Sequence, residues 1–254
     1  MHLYYLIIFF IFGLVFGSFF NVVGYRLPKK MSLISPASHC TRCNHKLTPL
    51  ELIPVFSWLF QKGRCKKCGE KIAIFYPLFE LFTGIIFALI YHVFGLTLTT
   101  LIALVFASMI LILIISDILY MIIPDELLLF CGIVIFILKI IISGVDIIVP
   151  TIIDMLVPFL IMYVIKLVGD FIFKRESLGG GDIKLMIVFG MVLGWEIAIF
   201  TIFLSSFLAL PVSLLSLKKN KSHEIPLGPY LGISALICLI GKIDIDVLIK
   251  FLTF

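Results

Sequence analysis

The sequence predicts an all-α polytopic membrane protein of about eight transmembrane helices, with a small cytoplasmic zinc-knuckle domain between the first helix and the second. Three observations predict it. Apolar residues make up 62% of the 254, against about 45–50% in a soluble domain. They fall into eight runs separated by short polar stretches. Ten of the 20 basic residues are concentrated between Gly24 and Ile74, around four of the six cysteines.

Charged residues are only 14% of the chain and there are 25 Phe; the mean hydropathy is +1.23. A water-soluble fold of this length could not bury so much apolar surface. A soluble enzyme, a disordered protein and a nucleic-acid binder are therefore excluded. Membrane lipid is the solvent for most of the chain, and no nucleic-acid partner is expected.

Crossing a hydrocarbon core takes about 20 helical residues. Leu3 to Val23 is the first such run. It lacks the basic start and small-residue cleavage site of a signal peptide, so residues 1–23 read as a retained helix. Residues 24–74 form the polar, basic domain. Residues 75–254 form a seven-helix membrane domain, with apolar runs at 75–94, 97–116, 126–142, 147–169, 183–195, 197–217 and 226–241. The run 183–195 is short for a span. The tail 242–254 alternates apolar and charged residues and is expected at the outer interface.

Orientation follows from the basic residues. With 24–74 in the cytoplasm, the loops 117–125, 170–182 and 218–225 also lie inside. Lys174, Arg175, Lys218, Lys219 and Lys221 then join the ten, placing 15 of 20 basic residues on the inner side. Cytoplasmic loops of membrane proteins carry such an excess of Lys and Arg.

Cys40 and Cys43 form one C-x2-C pair, Cys65 and Cys68 another, with 21 residues between them. Two such knuckles can place four thiolates around one tetrahedral Zn²⁺. Arg42, Lys46, Lys66 and Lys67 favour the thiolate form. Two disulfides are the competing reading, at odds with a reducing cytoplasmic location. Four sulfur ligands leave no open coordination position, so the metal is structural. His39 and His45 are near enough in sequence to substitute as ligands. Cys131 and Cys238 sit alone in apolar runs and read as packing residues.

Carboxylates within a bilayer are costly and are suspects for function. Asp117 ends an unbroken apolar run. Asp182 follows Gly179, Gly180 and Gly181, a supporting loop in which the absence of side chains permits sharp bends and close backbone approach. The topology brings these two carboxylates, 65 residues apart, to one membrane depth. Two carboxylates in a low-dielectric site do not both ionise easily. One then serves as acid while the other activates water, the chemistry of aspartic proteolysis. Asp125, after Pro124, reads as a helix N-cap. Asp154 and Asp170 read as structural. Glu80, near the inner end of the second run, is a third suspect.

The segments GSFFNVVGYRLP, SHCTRCNHKL, GRCKKCGEKI and YPLFELFTG, together with Asp117-x7-Asp125, Gly179-x-Gly181-Asp182-x-Lys184 and IPLGPYLG, resemble the bacterial prepilin peptidases, or type 4 leader peptidases, over nearly the whole chain. The resemblance implies an intramembrane aspartic endopeptidase of the bacterial cytoplasmic membrane, with its active site facing the cytoplasm. It implies catalytic Asp117 and Asp182, with prepilins or pseudopilins of pilus, competence or secretion systems as substrates. It also implies N-methylation of the new amino terminus with S-adenosyl-L-methionine, for which Glu80 is a candidate contact. Gly24 and Glu126 depart from the pattern, away from the metal and the aspartates.

Two other classes compete. A transporter with intramembrane carboxylates would show inverted repeats and midplane charges, and no repeat is visible. A non-enzymatic scaffold built on the zinc knuckle leaves both aspartates unexplained. A peptidase without methyltransferase activity is the third alternative.

Overall fold

The computed structural model describes residues 1–218, 226–245 and 250, with only the backbone for 216–218. Lys219 and Lys221, counted above in the inner loop, and most of the tail 242–254 lie outside the described residues. Among those described, the chain is helical, with two isolated bridges, His39 to Lys46 and Arg64 to Lys71.

Two compact units divide at Leu96. The first holds α1 (His2–Arg26), a short α2 (Phe56–Phe60) and α3 (Phe75–Phe94), with 3-10 turns at Leu27–Lys29 and Pro49–Leu52. Helices α1 and α3 pack backbone to backbone, because Gly13 and Gly17 lie one turn apart on α1. A Cβ on Gly13 would lie 2.7 Å from Gly84 Cα, and one on Gly17 2.9 Å from Glu80 Cα. Small residues at such spacing let apolar helices associate where no hydrophobic effect drives them together.

The second unit holds α4 (Leu98–Tyr120), α5 (Asp125–Ser143), α6 (Ile148–Phe173), α7 (Gly180–Leu193), α8 (Trp195–Lys218) and α9 (Gly228–Ile240). Its core is the apolar face of α4, where Phe106, Met109, Ile110, Leu111 and Leu113 are fully buried, against Leu185, Met186 and Phe189 of α7 and Leu231 and Ala235 of α9. Each expected apolar run is a helix. Six are long and apolar enough to cross a membrane: His2–Lys29, Phe75–Phe94, Leu98–Tyr120, Asp125–Ser143, Val145–Phe173 and Trp195–Leu215. The two shorter ones are α7, with 14 residues, and α9, with 13. At 1.5 Å per residue each rises about 20 Å, short of a hydrocarbon core of about 30 Å.

The ends of α7 explain how so short a helix is accommodated. Its last carbonyls have no partner within the helix. Lys139 Nζ, from α5, donates to Met191 O at 2.7 Å. Asp154, from α6, accepts the Trp195 N–H at the start of α8, at 3.4 Å. Asp154 therefore has a structural role, as expected. Within α6, Pro158 removes the N–H that would bond Asp154 O, and Gly190 of α7 packs against that carbonyl: a Cβ there would meet it at 1.8 Å.

Candidate active site

In the cysteine segment of the first unit, the two knuckles share one local design. Cys40 N–H donates to His45 O and Asn44 N–H to Cys40 O; Cys65 N–H donates to Glu70 O and Gly69 N–H to Cys65 O. The residue after each second cysteine turns left-handed, Asn44 at φ 54° and Gly69 at φ 72°, residue types that tolerate that region. The four sulfur atoms lie within 4.8 Å of one another. Cys40 and Cys68 are 3.8 Å apart and Cys43 and Cys65 3.9 Å. A tetrahedron with about 2.3 Å metal–sulfur bonds has edges of about 3.8 Å, so these residues could hold a metal ion. The backbone N–H groups of Cys43 and Arg42 lower the Cys40 thiol, while burial and the neighbouring thiols raise that of Cys68, so the sulfurs titrate as one cluster.

The histidines are engaged elsewhere. His39 Nδ1 meets Ala37 O at 2.9 Å and His45 Nε2 meets Glu51 at 3.2 Å. The Thr48 backbone N–H, then the Thr48 hydroxyl and His45, hold Glu51 below the usual carboxylate range. The buried Arg26 donates to the carbonyls of Ser32, Leu33 and Pro36 and ties the chain leaving α1 into a compact turn. Glu80 accepts the Val55 N–H at 2.7 Å and a bond from Ser18, which makes it a bracket between α3 and the cysteine segment.

In the second unit, Asp117 lies in the last turn of α4, which Met121 ends with φ 54°. Asp182 is the third residue of α7, after the N-cap Gly179. The side chains of Leu113 and Asp117 face the start of α9: the Gly228 backbone bonds the Asp117 carboxylate, and a Cβ on Gly228 would stand 2.6 Å from Asp117 Oδ2. The Gly179 backbone bonds Asp182 and so closes half of a capping box. Asp117 and Asp182 are 6% and 8% exposed, and near enough for the charge of Asp117 to act on Asp182. Asp182 Oδ1 has no hydrogen-bond partner. Two buried carboxylates thus lie within electrostatic reach of each other, Asp182 in the first turn of α7 and Asp117 against the start of α9, where helix N-termini favour negative charge, and Asp182 Oδ1 has acceptor capacity left over.

The supporting glycines have different roles. Gly181 lets the first turn of α7 close on the Met121–Pro124 connection, where a Cβ would meet Ile123 Cβ at 2.7 Å; Gly180 faces open space. Asp125 is not the N-cap expected from its place after Pro124. Pro124 is the cap residue and no side chain caps α5. The Asp125 carboxylate instead takes Lys184 Nζ at 2.7 and 2.8 Å, because Lys184 projects from α7 toward the start of α5. Asp170, as expected, is structural and accepts the Ser177 N–H at 2.6 Å. Cys131 and Cys238 are buried packing residues. Gly228 was missed in the sequence; its signal was the Gly-Pro pair opening the last apolar run.

Fold and site together define a multi-pass helical membrane protein with a pair of buried, interacting carboxylates. The model described as "Bacterial Peptidase A24 N-terminal domain" matches residues 11–94, and that of the "Type IV leader peptidase family" matches residues 104–214. A prepilin leader peptidase/N-methyltransferase of Aeromonas salmonicida is 34% identical over 263 residues, covering 91% of this chain and 89% of that protein. One from Pseudomonas aeruginosa is 32% identical, covering 90% and 87%. One from Bacillus subtilis is 50% identical over 99 residues, a match spanning 39% of this chain and 40% of that relative. No solved structure gives a significant match. The chain belongs to the prepilin leader peptidase/N-methyltransferase family.

Proposed function

We propose that this chain is an intramembrane aspartic endopeptidase that removes the leader from prepilin-like proteins and then N-methylates the new amino terminus. The observation that carries the reading is the buried pair of Asp117, in the last turn of α4 beside the start of α9, and Asp182, in the first turn of α7. In the reaction, one ionised carboxylate takes a proton from water as the water oxygen attacks the scissile carbonyl. The partner, in its acid form, protonates the departing amine as the C–N bond breaks. Gly228 and Gly179 orient the two carboxylates through their backbone, and the missing side chain of Gly228 lets the start of α9 pack directly on Asp117.

The excess of basic residues in 24–74 supports a bacterial cytoplasmic membrane location with this site on the cytoplasmic side, and α7 and α9 as the remaining two of eight crossings. Zinc is the metal of the four cysteines: all four donors are sulfur, in tetrahedral spacing. It would be held by Cys40, Cys43, Cys65 and Cys68 and would supply folding energy rather than chemistry. S-adenosyl-L-methionine is the methyl donor of the second step.

The test is mass spectrometry of a co-expressed prepilin, which reports cleavage and methylation in one spectrum. Asp117→Asn and Asp182→Asn should each abolish cleavage while the protein remains folded and inserted. Near-normal cleavage by either variant overturns the two-aspartate reading. A cut product that stays unmethylated with excess donor leaves a peptidase alone.

A further inference from the structure

Helix α2 is too short to be stable alone, and its side chains divide sharply. Trp58 turns inward: its Nε1–H donates to Ile72 O at 3.1 Å, and its ring covers Gly63. Phe56, Leu59 and Phe60, at i, i+3 and i+4, share the other face and are 53%, 57% and 84% exposed. Exposed apolar surface of this kind marks an interaction site.

The position of this face along the membrane helices identifies what it meets. Val55, the residue before α2, is a β-branched residue at φ 62°, and its N–H is held by Glu80. Glu80 is the sixth residue of α3, about 7–8 Å along the helix axis from Phe75. The 20 residues of α3 rise about 30 Å, the thickness of a hydrocarbon core. The start of α2 is thus pinned about 7–8 Å inside the end of α3, at the depth of the upper acyl chains. Both ends of the cysteine segment also run directly into membrane helices. Lys62 and Arg64, two and four residues beyond α2, are exposed, the arrangement of a basic rim beside an apolar face that seats on anionic lipid.

We propose that α2 is an interfacial foot: Phe56, Leu59 and Phe60 insert among the upper acyl chains, while Lys62 and Arg64 meet the phosphates of anionic phospholipids. The foot fixes the metal-binding segment against the membrane surface, independently of what the aspartates do. A second consequence is that Glu80 serves as the foot's anchor.

The experiment uses the full chain in nanodiscs of anionic and zwitterionic phospholipid, with Phe60→Trp added to the native Trp58 and Trp195 and the unaltered chain as baseline. Leu59→Trp on the same face is the second variant, and bound metal content checks that the segment is folded. Lipids brominated near the headgroup end of the acyl chains should quench most of the added emission, and aqueous iodide should leave it unchanged. Quenching by iodide but not by brominated lipid places the face in water and overturns the proposal. Quenching by neither shows that protein covers the face, and overturns it equally.

Discussion

At the scale of single residues, the site depends on what cannot be placed beside it. Gly228→Ala would push a methyl group to 2.6 Å from Asp117 Oδ2, forcing the carboxylate to turn. Misplacement of a reacting group by about 1 Å can cost on the order of a hundredfold in rate. A loss of that order in kcat, with unchanged thermal stability in detergent, is expected. Asp125→Asn and Lys184→Gln break a pair that is 64% and 52% exposed, so each should lower cleavage far less than Asp117→Asn. The proposed mechanism uses one protonated and one ionised carboxyl, so the rate should follow a bell-shaped pH profile, with apparent constants belonging to the pair. A profile with a single ionisation would contradict the shared mechanism. Asp117 and Asp182 were legible in the sequence because a carboxylate in an apolar run stands out. The partner of Asp125 was not: Pro-Asp before an apolar run has the local form of a cap, and only the packing of α7 beside α5 shows that Lys184 claims the carboxylate.

At the scale of elements, α7 is the helix whose fit is most exacting. Its short apolar run, 183–195 in the sequence, left the manner of its accommodation open. Hydropathy reports only the side chains of one segment, whereas the groups that complete α7, Lys139 and Asp154, come from α5 and α6. Lys139→Met should leave the Met191 carbonyl unpaired, at about 1–3 kcal/mol, seen as a lowered Tm in detergent. Gly190→Ala places a Cβ 1.8 Å from the Asp154 carbonyl. Overpacking typically costs about 1–3 kcal/mol, and backbone contact this close should reach at least the upper end. Wild-type stability for Gly190→Ala would show that α6 and α7 do not meet as described. The long runs, by contrast, were readable to within a few residues, since their apolarity is intrinsic. The Gly13 and Gly17 packing of α1 on α3 was present in the sequence as a spacing but gave no hint of which helix it served.

At the scale of the whole molecule, the two units separate two kinds of stability. The segment between α1 and α3 has few buried apolar residues and rests on the four-sulfur cluster, whereas the second unit has an extensive core. Cys40→Ser should remove bound metal, measured as about one equivalent per wild-type chain for one four-ligand site. It should also make residues 27–72 readily cut by protease, with the aspartate-bearing unit still protected. Loss of protection throughout would show the two units to be thermodynamically inseparable. The grouping of the four cysteines was legible from spacing. The role of Glu80 was not, because the N–H it accepts belongs to Val55, 25 residues away, at a backbone conformation that no side-chain pattern announces.

The clamped end of α7 has a consequence for how the chain is made. A 14-residue segment opening with Gly-Gly-Asp-Ile-Lys offers an insertion machinery little incentive to release it into lipid, since its apolar length falls short of a full crossing. Synthesis runs from the amino terminus, so α5 and α6, with Lys139 and Asp154 already in place, are delivered first. The late helix then enters against finished neighbours instead of bare lipid. The order of emergence from the ribosome thereby becomes part of what places the second aspartate.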